Sequence, residues 1–307
     1  AVDVDAEITV TAGCTEAIGA TAMGLLEPGD RVVVFEPYYD CYPAALALAG
    51  AEPVFVALRQ QADGSFGFDG DELRSACAGA RAVLVNTPHN PTGKVFTAAE
   101  LQVIAEAALE HDLLVLADEV YDQLVYEGEH VSIASLDGMR ERTVTMGSLG
   151  KTFSLTGWKV GWTIASPELT RAVRSAHQFL IYAVATPLQH AAAVGIREGD
   201  AYIAEQREMF RSRRDLLGAE LAKLGFTFAP TQGGYFILAD HTAFSGPRGI
   251  TSDVELCHHL IEHAGVATIP PSAFYANKEL GRPLLRFAFC KTEGTLRAAV
   301  ERLSAMA

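Results

Sequence analysis

The sequence of 307 residues is short of positive charge, with 24 lysines and arginines against 38 aspartates and glutamates and a formal net charge of −14. Without a basic stretch it has no field that would attract nucleic acid or an anionic membrane surface, and we expect neither as a partner. Any anionic ligand must therefore be held by a few cations placed locally. The content of 49% hydrophobic residues is typical of a globular chain with a sizeable core.

Long apolar runs and paired cysteines are also missing. The most membrane-like stretch, residues 179–196, is interrupted by Pro187, Gln189 and His190, so we expect no transmembrane segment. The five cysteines are odd in number and never in Cys-x-x-Cys spacing, which argues against a disulfide framework or a zinc site. The chain opens with Ala-Val-Asp-Val-Asp and shows no basic and apolar leader, so we expect a cytoplasmic protein.

Short β-branched runs alternate with Ala/Leu-rich helical stretches in the first part of the chain. The runs at residues 31–35, 53–56, 82–85 and 113–117 are apolar almost throughout, which is typical of parallel strands buried on both faces. Between them, Thr97 and Glu100 form a capping-box pattern that opens a helix running to about residue 110. The pattern predicts an α/β fold with a mostly parallel central sheet flanked by helices.

The pattern changes after Pro187. A long charged helix is predicted at 202–224, strands near 235–238 and 284–289, a helix near 254–264 and a final helix from residue 293. This order is typical of a smaller α+β domain. We place the boundary near residue 195, with a large domain over residues 1–195 and a small C-terminal domain over residues 196–307.

Polar motifs follow three of the predicted strands. The motif NTPHNPTG begins at Asn86, DEVY begins at Asp118, and a Gly/Ser/Thr-rich loop predicted over 147–157 contains SLGK beginning at Ser148. Ligands of open α/β sheets bind beyond the carboxyl ends of the strands, so the three motifs are expected to meet in one crevice. Lys151 in that loop, with Lys159 eight residues further on, suits covalent capture of an aldehyde cofactor whose phosphate is bound nearby.

With these motifs in place, the chain resembles the class I/II aminotransferases of fold type I, which use pyridoxal 5′-phosphate. It is most similar to their kynurenine and N-succinyldiaminopimelate branch, and the resemblance runs from Thr9 nearly to the C-terminus. It implies a homodimer with the active site near the subunit interface. It also implies amino acid and 2-oxo acid substrates, with glutamate and 2-oxoglutarate as one couple. The amino acid of the other couple would be N-succinyldiaminopimelate, kynurenine, methionine or an aromatic amino acid.

The resemblance assigns a role to each residue at the core of the site. Lys151 would be the Schiff-base lysine, and it would also move the proton between substrate and cofactor. Asp118 would pair with the cofactor's ring nitrogen and keep it protonated. Tyr121 and Asn90 would hydrogen-bond the cofactor's phenolate oxygen.

The same resemblance places the cofactor phosphate and ring. In the segment TAGCTEA the phosphate would meet the start of a helix at Gly13, Cys14 and Thr15. Ser148 and Lys159 would complete that phosphate site, with lysine at a position where many relatives have arginine. Tyr38 would lay its ring over the pyridine face.

Substrate binding is expected at the other end of the site. Arg286 is a charged residue in the apolar strand LLRFAF, and the family assigns it the substrate α-carboxylate, with support from Asn86. The family's N-terminal arm, a glycine-bearing loop and a tyrosine that reaches the partner subunit's phosphate have no counterpart in this sequence. We therefore expect the sequence to be part of a longer protein.

Other functions remain open at this point. The spacing of Ser148 and Lys151 matches the nucleophile motif of penicillin-recognising enzymes, although their Ser-Asp-Asn and Lys-Thr-Gly motifs are missing. His259 and His263 lie four residues apart on a predicted helix and could bind metal, but with no third ligand we expect no metal site. Cys257 is expected to be a core residue rather than a nucleophile. A carbon–sulfur β-lyase would share every cofactor contact, and similar domains serve as ligand sensors in transcription regulators.

Overall fold

The structure is a computed structural model, and it describes residues 2–61 and 64–306. The strands are β1 Ile8–Thr11, β2 Arg31–Glu36, β3 Glu52–Ala57, β4 Arg59–Gln60, β5 Phe66–Gly67, β6 Ala82–Asn86, β7 Leu114–Asp118, β8 Thr143–Ser148, β9 Gly161–Ile164, β10 Thr227–Phe228, β11 Phe236–Asp240 and β12 Leu284–Ala288. The α-helices are α1 Val4–Glu7, α2 Gly13–Leu25, α3 Cys41–Leu48, α4 Gly70–Cys77, α5 Ala98–Glu110, α6 Leu149–Thr152, α7 Pro167–Leu180, α8 Thr186–Glu198, α9 Asp200–Lys223, α10 Thr242–Ser245, α11 Asp253–Ala264 and α12 Glu293–Ser304. Short 3-10 segments lie at Ile133–Ser135, Arg140–Arg142, Thr156–Trp158, Gly246–Arg248, Pro271–Phe274 and Lys278–Leu280.

Within the described residues, seven strands form the central sheet in the order β1-β9-β8-β7-β6-β2-β3. The strands from β8 to β3 run parallel, whereas β9 and β1 are antiparallel to their neighbours. Alternate residues of β2 face opposite cores: Val33 packs towards α4 and α5, and Val32 packs towards α2 and α3. Burial of both faces explains why these strands are apolar without alternation, and it confirms the predicted fold class.

The register of the central strands brings their last residues together. Asn86 at the end of β6 lies level with Asp118 at the end of β7, and Asp118 lies level with Met146 in β8. The predicted crevice therefore falls at this edge of the sheet. The capping box at Thr97 is present, because its side chain accepts from the Glu100 backbone and the Glu100 carboxylate accepts from the Thr97 backbone.

The segment 147–157 corrects one expectation. We expected an open loop, but β8 continues to Ser148, α6 follows at once, and Thr156–Trp158 forms a 3-10 turn. The Ser148 hydroxyl accepts from the backbone of Gly150 and so caps α6. Glycine-rich composition concealed this short helix, which is stabilised by the cap and by burial of Leu149.

A second sheet, β10-β11-β12, is antiparallel and packs with α9, α11 and α12. Its core also takes in Tyr121 and Leu124 from the turn that follows β7. The predicted domain boundary near residue 195 lies inside α8 and stays a prediction. Across the described ranges, the helices are each too short or too polar to cross a membrane.

Candidate active site

A cavity of about 210 Å³ lies where β6, β7 and β8 end. Every site residue predicted from the sequence lines it except Tyr38: Gly13, Cys14, Thr15, Asn86, Asn90, Asp118, Tyr121, Ser148, Lys151, Lys159 and Arg286. The structure thus collects side chains from both sheets around one space.

Asp118 forms the buried floor of the cavity. One carboxylate oxygen accepts from the Tyr42 hydroxyl at 2.7 Å, and the other accepts from the Val120 backbone at 3.2 Å and from the Cys14 thiol at 3.6 Å. Burial raises the pKa of Asp118, although these hydrogen bonds and the charge of Lys151 act in the opposite direction. A cationic group next to this carboxylate would offset the cost of burying its charge.

Lys151 lies on α6 and points its amine at two aromatic rings. Its Nζ donates to the Tyr235 hydroxyl at 2.7 Å and lies 5.6 Å from the ring centre of Tyr121. The backbone carbonyl of Lys151 accepts from the Gln206 amide at 3.0 Å, which ties α6 to α9. The amine is therefore held on a rigid element, with no carboxylate among its hydrogen-bond partners in the described part of the chain.

Arg286 lies in β12 between two aromatic rings. Its guanidinium carbon is 4.2 Å from the ring centre of Phe236 and 4.7 Å from that of Phe274. Nη1 donates to the Asn90 side-chain oxygen at 3.0 Å, whereas Nε is buried and has no partner among the described residues. Burial lowers the pKa of Arg286. A half-buried guanidinium with an unused donor can donate to a carboxylate, which accepts the hydrogen bond.

Asn86 fixes the geometry between these groups. Its amide nitrogen donates to the Asp118 carbonyl at 2.9 Å, and its side-chain oxygen accepts from the Asn90 backbone at 2.8 Å. Both ends of the side chain are thus engaged with the protein backbone. Its contribution to the site comes through the placement of Asn90 and, beyond it, Arg286.

The start of α2 forms one wall. Gly13 has φ of +78°, a left-handed conformation that favours glycine, and the backbone amides of Cys14 and Thr15 follow in the first turn. Gly161 in β9 packs against this turn: a Cβ there would lie 2.7 Å from the Gly13 carbonyl carbon. Because Gly13, Cys14 and Thr15 line the cavity, the positive end of the helix lies beside it.

Ser148 and Lys159 complete that wall. The Ser148 hydroxyl donates to the Val160 carbonyl at 3.3 Å, which links β8 to the segment carrying Lys159. Lys159 has φ of +52°, which is uncommon for a residue with a side chain and is often found at functional sites. The wall therefore offers a helix terminus and an ammonium group to an anion, and the Ser148 hydroxyl could join them by turning away from the Val160 carbonyl.

The expectation for Tyr38 needs a correction. Its backbone amide donates to the Phe274 carbonyl at 2.8 Å, and its ring stacks on Phe55 with centroids 5.0 Å apart, outside the cavity. The next residue, Tyr39, lines the cavity and meets Tyr42 edge to face. Which tyrosine of the pair turns inward depends on the hydrogen bond to Phe274, which lies far away in sequence.

Sequence reasoning also missed three residues that hydrogen-bond the site residues. These bonds join Tyr42 to Asp118, Tyr235 to the Lys151 amine, and Gln206 to the Lys151 backbone carbonyl. For Tyr235 a signal existed, because it follows two glycines and directly precedes the strand that begins at Phe236. Tyr42 and Gln206 carry no local signal, since each lies inside an ordinary helix.

The competing sites find little support. The Ser148 hydroxyl donates to a backbone carbonyl rather than to Lys151. His259 and His263 pack ring against ring, and the described residues contain no cluster of three or more groups suited to a metal. Burial raises the pKa of the Cys257 thiol, which makes it a poor nucleophile.

Comparison with known proteins places the chain in a family. The family model for aminotransferase class I and II matches residues 1–303. The chain is 43% identical to a probable N-succinyldiaminopimelate aminotransferase of Mycobacterium tuberculosis, over 99% of this chain and 78% of that protein. It is 39% identical to kynurenine–oxoglutarate transaminase 3 of Mus musculus, over 98% of this chain and 71% of that protein. The solved structure of N-succinyldiaminopimelate aminotransferase from Mycobacterium tuberculosis superposes with a TM-score of 0.95 at 44% identity, over 100% of this chain and 79% of that one.

The chain belongs to the class I and II aminotransferases, a family of fold type I transferases. It is a pyridoxal phosphate-dependent aminotransferase that moves an amino group between an amino acid and a 2-oxo acid. The cavity suits that cofactor, because it presents an amine, a buried carboxylate and an anion-binding helix start together.

Proposed function

We propose that the cavity is the active site and that its residues divide the work as follows. Bound pyridoxal phosphate supplies an electron-withdrawing ring that accepts the charge left at the substrate α-carbon. Lys151 holds the cofactor covalently and, when its amine is free, takes the proton from the substrate. Asp118 faces the ring nitrogen and keeps it protonated, and Tyr121 and Asn90 donate to the phenolate oxygen.

We propose that the anion-binding wall holds the cofactor phosphate. Gly13, Cys14 and Thr15 offer backbone amides, Ser148 its hydroxyl and Lys159 its charge. Tyr39, rather than Tyr38, would contact the cofactor ring, because Tyr39 lines the cavity and Tyr38 does not.

Arg286 is proposed to bind the α-carboxylate of each substrate in turn. The single observation that carries this assignment is its buried, unpartnered Nε on a guanidinium that already holds Asn90. Among the described residues that line the cavity, Arg286 is the only arginine. A second carboxylate on the substrate therefore lacks an arginine partner there, which disfavours aspartate as the best donor.

For the substrates, we propose glutamate and 2-oxoglutarate as one couple, with a bulky neutral amino acid or N-succinyldiaminopimelate as the other. The similarity to the N-succinyldiaminopimelate and kynurenine enzymes supports this choice, as do the aromatic rings of Phe236 and Tyr39 in the wall. The test is a titration of the purified protein with each amino acid, in which the visible absorbance of the bound cofactor is lost on amino transfer. A preference for aspartate of more than about tenfold would contradict the proposal, and release of ammonia and a 2-oxo acid from a sulfur amino acid would indicate β-lyase activity.

We also propose a homodimer with the site near the subunit interface. Phe179 near the end of α7 and Tyr182 just after that helix are 86% and 80% exposed, which is a high exposure for neighbouring aromatic side chains. Val184 follows Tyr182 by two residues and packs in one cluster with Leu149 of α6. The two exposed aromatic residues therefore lie near the segment that carries Lys151. Sedimentation should show a dimer, and Tyr182→Glu should give monomers while Leu48→Glu, at a residue 76% exposed on α3, should not.

The proposed location is the cytoplasm. The five cysteines are all free thiols in the structure, which is consistent with a reducing compartment. Fractionation of cells that express the protein would test this location.

A further inference from the structure

Tyr235 makes a contact with the proposed catalytic lysine that none of the roles above explains. The Lys151 Nζ donates to its hydroxyl at 2.7 Å, and the same Nζ lies 5.3 Å from its ring centre. The ring meets Tyr121 edge to face, with centroids 5.2 Å apart, and the two hydroxyls share a hydrogen bond. The amine is therefore hydrogen-bonded to Tyr235, and Tyr235 is hydrogen-bonded in turn to Tyr121, which is proposed to contact the cofactor.

The chain holds Tyr235 in place through a crowded turn. A Cβ at Gly233 would lie 2.7 Å from the Pro88 side chain and 2.9 Å from the Leu124 carbonyl, and Gly234 has φ of +73°. The Gly234 amide donates to that same Leu124 carbonyl at 2.9 Å. Only glycines fit both positions, so the turn fixes the start of β11 against the segments that follow β6 and β7.

Aromatic packing fixes the ring as well. Phe236 lies 4.6 Å and Phe210 6.2 Å from it, centre to centre, and the Tyr235 carbonyl accepts from the Phe289 amide at 3.0 Å. A ring held on several sides cannot follow a lysine that moves. The hydroxyl is therefore a fixed point to which the flexible lysine side chain returns.

We propose that Tyr235 is a positioning residue that receives the free amine of Lys151 and holds it beside the cofactor site. The proposal rests on the proposed role of Lys151 as the covalent and proton-carrying residue. The amine donates to the Tyr235 hydroxyl at 2.7 Å and also lies beside the Tyr121 ring, so the hydrogen bond fixes the direction of a side chain that would otherwise be free to rotate.

The test uses the full chain stripped of cofactor and then given pyridoxal 5′-phosphate. The rate of covalent capture is followed by absorbance, and borohydride reduction with mass spectrometry verifies attachment at Lys151. In Tyr235→Phe the rate of capture should fall by about tenfold, because the amine loses the hydrogen bond that holds it in place. Tyr202→Phe is the matched control, since its hydroxyl donates to the Phe153 carbonyl nearby without touching the amine, and its rate of capture should not change.

A second ligand separates positioning from general loosening. Pyridoxamine 5′-phosphate has no aldehyde, so its binding does not require the Lys151 amine, and Tyr235→Phe should bind it as wild type does. An unchanged rate of capture, or equal weakening of both ligands, would overturn the proposal for Tyr235. Covalent capture that persists unchanged in Lys151→Ala would instead refute the proposed role of Lys151.

A further variant covers the case in which Tyr235→Phe does not fold. The Tyr126 hydroxyl donates to the Gly234 carbonyl, so Tyr126→Phe loosens the turn while leaving the Tyr235 hydroxyl intact. Its rate of capture should fall by a smaller factor. An unchanged rate in that folded variant would count against the proposal.

Discussion

Replacing Arg286 by alanine tests the substrate site most directly. A carboxylate bound by two charge-assisted hydrogen bonds gains about 3–6 kcal/mol. Arg286 is only partly buried, and removing it also releases Asn90, so we take the lower part of that range. Arg286→Ala should therefore lower kcat/KM by roughly a hundred- to a thousand-fold.

The two substrates must respond alike. Because amino donor and acceptor use the same site in turn, kcat/KM should fall for both when each half-reaction is measured separately by stopped-flow absorbance. Arg286→Lys should show a smaller loss, since it keeps the charge without the planar fork. Arg282→Ala is the control, because that side chain pairs with Glu279 at the surface. A loss confined to one substrate would refute a shared carboxylate site.

Three further predictions follow from other parts of the structure. Lys151→Ala should be inactive and should lack the absorbance of the lysine-bound cofactor, and near wild-type transamination by that variant would mean that the wrong lysine has been chosen. Gly161→Ala should lower the free energy of unfolding by about 1–3 kcal/mol and weaken cofactor binding, because its Cβ would meet the Gly13 backbone. Gly157→Ala is the control and should do neither, because a Cβ there would have open space around it. Urea unfolding measures the first effect and cofactor titration the second. Burial, aided by the charge of Lys94, lowers the pKa of His89 to about 3. The stability that neutral His89 contributes is therefore present above about pH 6.5 and is lost as pH falls towards 3. On acidification from pH 7 to 5 the melting temperature of His89→Asn should fall less than that of the wild type, and equal falls would contradict the burial argument.

The sequence was sufficient to predict the parts of the molecule in which local pattern and tertiary role coincide. Buried parallel strands are apolar without alternation, so β2, β6 and β7 could be located, and the residues that end them could be placed at one edge. The resemblance to aminotransferases then supplied a chemical role for each residue. The class of enzyme and its cofactor agree with the family comparison.

What could not be predicted depends on contacts between distant segments. The choice between Tyr38 and Tyr39 is made by a backbone hydrogen bond to Phe274, more than two hundred residues away. Strand β1 is only four residues long and is defined by its pairing with β9 rather than by its own composition. Tyr42 and Gln206 occupy positions that helical periodicity alone treats as ordinary.

The turn after β7 packs its apolar side chains into the core of the smaller sheet. The core of the smaller sheet therefore positions Tyr121, Tyr235 and Arg286. The central sheet positions Asp118 and Ser148. A substitution deep in the C-terminal core, far from any reacting atom, would displace the first group of residues relative to the second. Variation in substrate preference among related enzymes should accordingly be sought in the packing of that core as well as in the residues that line the cavity.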